Sequence, residues 1–148
     1  MTTWRIGEVA SACGLSEYEI SMWISRGLFQ PNMSTRKGQW RRYDWRDVVC
    51  LAVAQELRKL TRDTGTALHL ASGALREHLA ARESLPPAPF FCLACGSEHE
   101  HRAEFASVDC FGHAFASHDV RAMLVVDIAT IGWAALQRLD AGRATEAA

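Results

Sequence analysis

The chain has 148 residues, nearly half of them apolar, with 16 Lys and Arg against 17 Asp and Glu and a formal net charge of −1. That length holds one ordinary domain, or a small module with a small companion, and the apolar share can build a core without disulfide or metal staples. The apolar runs fall far short of the roughly 20 residues that span a bilayer, and no secretory pattern opens the chain, so a cytoplasmic protein with no membrane partner is expected.

From Trp4 to Pro31 the apolar residues recur at helical spacing, first Ile6, Val9 and Ala10, then Ile20, Trp23 and Ile24. Gly14-Leu15-Ser16 separates the two runs. Gly14 can adopt the positive φ that ends a helix, and Ser16 can cap the next one. The spacing predicts helices over Gly7 to Ala12 or Cys13 and over Glu17 to Arg26, joined by a tight turn. Gly27-Leu28 closes the second, and Pro31 leads out. Two such helices form a helix-turn-helix, whose second member commonly enters the major groove of DNA.

The next stretch, Arg36 to Tyr43, carries four cations and two aromatics around Gly38, as a basic hairpin would. Asp44-Trp45-Arg46-Asp47 reads as the start of a third helix reaching about Leu60, with Val48, Leu51, Val53, Leu57 and Leu60 on its apolar face. Helix-turn-helix, basic hairpin and third helix are the order of a winged helix. Charge agrees once the chain is divided. Residues 1–62 carry ten Lys or Arg against six Asp or Glu (+4), and residues 63–148 six against eleven (−5). Clustered cations release counterions on meeting phosphates, and five of them lie between Arg36 and Arg46.

Residues 4–60 resemble the N-terminal DNA-binding domain of MerR-type transcriptional regulators. The match rests on Ile6-Gly7-Glu8-Val9-Ala10, Gly14-Leu15-Ser16, Ile20, Arg26-Gly27-Leu28, Pro31, Gly38, Arg41-Arg42-Tyr43 and Asp47. The resemblance implies a regulator that binds double-stranded DNA and pairs with a second copy of itself. Two departures bear on affinity. Members carry Thr-Ile-Arg in the recognition helix where this chain has Glu19-Ile20-Ser21, and Glu17 adds a second carboxylate. The hairpin reads Gly-Gln-Trp-Arg where Gly-Tyr-Arg is usual. The residues expected at DNA are Ser16, Glu17, Tyr18 and Ser21 on the recognition helix, and Arg36, Lys37, Arg41, Arg42 and Tyr43 on the wing. Trp23 and Trp40 are expected to pack in the core and against the wing.

A fourth helix is expected from about Thr66 to Arg82, with Leu68, Ala71, Leu75 and Leu79 on one stripe. That stripe suits either a second protomer or the chain's own first module. Ser84 to Pro89 is proline-rich and stiff. Beyond it, Phe90–Ala94, His101–Ser107 and Ala122–Val126 read as strands, and a helix follows from Ile128 to Asp140. Buried-cysteine, zinc and redox roles are all open to Cys92-x-x-Cys95 and Cys110-x-x-His113, the first pair having a knuckle-like glycine after it. His99, His101 and His118 are dispersed. Five cysteines without an export signal argue for reduced thiols.

The whole is expected to be α+β but mainly α. A winged helix-turn-helix covers residues 1–62, a linking helix 63–85, and a small α/β appendage 86–148 that dimerises or senses. No phosphate loop, nucleophile–base pair or carboxylate cluster argues for catalysis, and no cofactor or assigned metal is expected. A protein-interaction adaptor on a winged-helix scaffold, or a metal- or redox-sensing regulator, are the competing readings.

Overall fold

The computed structural model describes residues 2–33, 40–86, 90–96, 101–107 and 122–146. Its elements are α1 (Ile6–Cys13), α2 (Glu17–Ser25), α3 (Trp45–Thr61), α4 (Thr64–His69), a π-helical turn (Leu70–Ala74), α5 (Leu75–Ala80), β1 (Phe90–Gly96), β2 (His101–Ser107), β3 (Ala122–Asp127) and α6 (Ile128–Glu146). The fold is mainly α, with a helix-turn-helix at its N-terminal end.

Local chemistry sets the first boundaries. Gly14 sits at φ 66°, and its neighbour Leu15 donates its N–H to Ala10 O at 2.9 Å, closing α1. The Ser16 hydroxyl accepts from Glu19 N at 3.2 Å while the Glu19 carboxylate accepts from Ser16 N at 2.9 Å, a reciprocal cap that starts α2. Asp44 and Asp47 repeat the arrangement at α3, at 3.0 and 3.1 Å.

One core runs through the molecule. Val9, Ile20, Trp23 and Phe29 meet Val48, Val49, Leu51 and Leu57 of α3, and all are at most 1% exposed. Leu60, expected on the same face, is instead exposed near the end of the helix. Residues 64–80 run on as one helical path through the π turn, two residues earlier at each end than the expected 66–82. The expected stripe of Leu68, Ala71, Leu75 and Leu79 is buried in this same core. Its apolar surface is therefore spent within the chain.

The strands form an antiparallel sheet in the order β2-β1-β3. Phe90 pairs with Ser107 and Gly96 with His101, and Phe91 to Gly96 pairs with Asp127 to Ala122 on the other side. Asp127 then accepts from Thr130 N at 3.0 Å at the start of α6, which runs past the expected Asp140 and Gly142.

Although α6 lies in the stretch expected as an appendage, it shares the core of the first sixty residues. Ile128, Ala135 and Leu139 belong to the same buried cluster as α1 and α3. Gly132 makes the approach close, since a Cβ there would stand 2.8 Å from Leu85 Cδ2 and 3.0 Å from Val49 Cγ2. Arg138 donates to Ala12 O at 2.8 Å, and Arg143 to Thr3 O at 2.7 Å while lying over the Trp4 ring. No helix among the described residues is long and apolar enough to cross a membrane.

Candidate nucleic-acid interface

The face of α2 follows from its period. Ile20 and Trp23 point into the core, which leaves Tyr18 and Ser21, three residues apart, on the outer side. Tyr18 is 75% exposed. Ser16, at the head of the helix, has its hydroxyl committed to the cap.

The two carboxylates of α2 do not share that outer face equally. Glu19 bonds Arg58 of α3 at 2.7 Å, and this bond together with the cap at Ser16 lowers its pKa from 4.5 to about 2. Arg58 also lies over the Trp23 ring, 5.6 Å from its centre, so the ion pair roofs the core. Glu17 turns back over α1, its Oε1 2.9 Å from where a Cβ on Gly7 would be. The negative charge expected to oppose DNA is thus drawn toward α3 and α1.

The loop between α2 and α3 leaves and returns at pinned points. Asn32 donates from its backbone to Asp47 at 3.0 Å and from its side chain to Asp44 at 2.7 Å. Tyr43 and Trp4 exchange backbone bonds of 2.9 and 3.0 Å. Both aspartates are fully buried, and Arg76 of α5 reaches Asp47 at 2.9 Å. Burial dominates over Arg76 and raises the Asp47 pKa. Arg46 ties the same corner to α5, donating to the carbonyls of Leu79 and Arg82. Between these pins, Trp40, Arg41 and Arg42 stand exposed.

Of the expected wing residues, Arg36, Lys37 and the bend at Gly38 lie outside the described residues. Tyr43 is a correction. It is completely buried, its hydroxyl has no hydrogen-bond partner among the described residues, and its backbone pairs with Trp4. Its place is beneath the surface, as a support for the returning loop. Burial raises its pKa; of the nearby charges, Arg41 lowers it while Asp47 and Glu17 raise it. Trp40 is a second correction, since it is 86% exposed, whereas Trp23 is core as expected.

Sequence reasoning missed the pinning set. Asp47 was visible as a cap, but its partners Asn32 and Arg76 lie 15 and 29 positions away and carry no local pattern. The same holds for Arg58, which reads as an ordinary helix cation.

Chemistry other than binding finds little footing. Cys13 and Cys50 are buried, and desolvation pushes both thiols up to about 12, so they stay protonated and unreactive. Cys92 and Cys95 lie on an unbroken strand, paired in register with Phe105 and Arg102. Cys110 and His113 lie outside the described residues. Among the described residues no group of three or more His, Cys, Asp or Glu could hold a metal ion.

Residues 4–64 match the family model described as the MerR HTH family regulatory protein. No curated protein matches the chain.

Proposed function

We propose that this chain, a MerR-type regulator through its N-terminal helix-turn-helix, binds DNA by placing α2 in the major groove and its basic loop on flanking phosphates. The observation that carries this reading is one of placement. Tyr18 and Ser21 face outward on α2, and the loop that follows it, pinned at Asn32 and Tyr43, holds Arg41 and Arg42 in solvent. Phosphate contacts then fix position and the outer face of α2 reads sequence. Ser16 and Glu17 lie at the head of α2, where they border the contact, and in sequence Arg36 and Lys37 add two more cations a few positions before Arg41. The internal pairing of Glu19 removes much of the reason to prefer an interaction adaptor.

A homodimer bound to two half-sites about 10 base pairs apart, or a multiple of that, goes with this reading. Its interface would use a surface other than the Leu68–Leu79 stripe, and sedimentation equilibrium checks the mass. The working compartment is then the cytoplasm, where the DNA is.

The test is a salt titration of binding to a duplex from the protein's own upstream region. Replacing Arg41 and Arg42 together by Ala should weaken binding to specific and random duplexes alike and flatten the slope of log K against log salt by roughly 2 units. An unchanged slope contradicts the phosphate role of this pair.

A further inference from the structure

Three of the chain's five tryptophans line one cavity of about 610 Å³. They come from far apart in the sequence: Trp4 ahead of α1, Trp45 at the start of α3 and Trp133 on α6. Leu136 and Asp140 stand three and seven positions after Trp133, on the same face of α6, and Glu83 and Leu85 close the cavity from the segment after α5. That volume suits a small organic ligand, and the walls combine aromatic and aliphatic surface with a few polar groups, as ligand sites do. Contacts within the chain anchor each wall. Trp4 is paired through its backbone with Tyr43, the Arg46 guanidinium lies 4.8 Å from the Trp45 ring centre, and Trp133 donates its indole N–H to Pro86 O at 3.1 Å. Gly132 brings α6 close against Leu85, so two sides of the cavity are held together. A site formed in advance costs a ligand little ordering.

The charges on the lining indicate which ligand fits. Arg46 also lines the cavity, but its guanidinium is committed to the carbonyls of Leu79 and Arg82 and to Asp44. Glu83 and Asp140 are exposed and have no ion-pair partner among the described residues. Two uncompensated carboxylates therefore stand in the same cavity as indole rings, whose faces are themselves electron-rich. An anion is repelled from such a lining, and a neutral guest leaves both carboxylates without a counter-charge.

We propose that this cavity binds a small organic cation with an aromatic body, its ring against the tryptophans and its charged nitrogen beside Glu83 and Asp140. Cation–π attraction and the two carboxylates then act on the same positive centre, while Leu85 and Leu136 cover the apolar remainder. None of the lining residues belongs to the set expected at DNA, so the two readings fail separately.

The experiment titrates benzyltrimethylammonium into the full chain by calorimetry, with benzyl alcohol and phenylacetate as neutral and anionic counterparts. The cation should bind about tenfold more tightly than either counterpart and raise the melting temperature. Glu83→Gln and Asp140→Asn should each weaken its binding about threefold, and about tenfold together. Added salt should weaken the wild type more than the double variant. Trp133→Leu, which removes one ring, should weaken binding about fivefold. Because neither carboxylate holds a partner in the fold, Glu83→Gln and Asp140→Asn should melt as the wild type does in the absence of the cation. Equal affinity for the three probes, no binding at millimolar cation, or a double carboxylate variant that binds the cation as tightly as the wild type overturns the cation site.

Discussion

Glu19 shows how one residue can look like an obstacle in sequence and be a strut in the structure. A carboxylate in a recognition helix should repel phosphates, yet this one is bonded to Arg58 and to the cap of its own helix. Its folded pKa lies below the ordinary value, so its stabilising contribution is complete above about 4.5 and is lost as pH falls toward about 2. Melting temperature followed across that window should fall, and less steeply in Arg58→Ala. Equal slopes would mean that the pair contributes nothing to stability. Asp47 is under the opposite strain. It is fully buried, and among the described residues Arg76, Asn32 and the Asp44 backbone compensate its charge. Arg76→Ala leaves that carboxylate uncompensated and should cost about 3–5 kcal/mol in denaturant unfolding, far more than loss of a surface pair.

Among the elements, α1, α2 and α3 could be read from the chain because their ends are written in short-range chemistry. Gly14 supplies the positive φ, Ser16 and Glu19 a reciprocal cap, and Asp44 and Asp47 another. Ser16→Ala should therefore cost about 1 kcal/mol and fray the head of α2, seen as faster amide exchange at Glu17 to Glu19. The three strands were readable for a similar reason, since apolar runs and their length survive in sequence, although the pairing of β1 with β3 was not. What could not be read depends on long-range partners. Tyr43 looks like a wing aromatic until Trp4, 39 positions earlier, is seen to pair with it. Trp40 looks like a packing residue until the pinned loop is seen to leave it outside. The π turn at Leu70–Ala74 has no sequence mark at all, although Ser72 within it reaches Leu28 O at 3.0 Å and ties the exit of α2 to this helix.

For the whole molecule, the finding with most consequence is that α6 closes the core begun by α1. An appendage read from the proline-rich linker and the strands after it is joined to the first module by Arg138, Arg143 and the approach at Gly132. Gly132→Val places methyl groups where Leu85 and Val49 already stand and should cost about 1–3 kcal/mol, lowering the melting temperature by several degrees. The strain falls on α3 through Val49, so duplex binding should weaken in step with stability. A variant that melts normally would show that the close packing of α6 on α3 is not needed.

The central claim is that the outer face of α2 and the returning basic loop contact one duplex together. Amide shift mapping of the labelled chain on addition of its upstream duplex tests this most directly. The account predicts that signals from Tyr18, Ser21, Trp40, Arg41 and Arg42 move along one binding curve, while those of β1 and α6 hold still. Shifts confined to α6 or the sheet, with α2 and the loop unmoved at saturation, would contradict it.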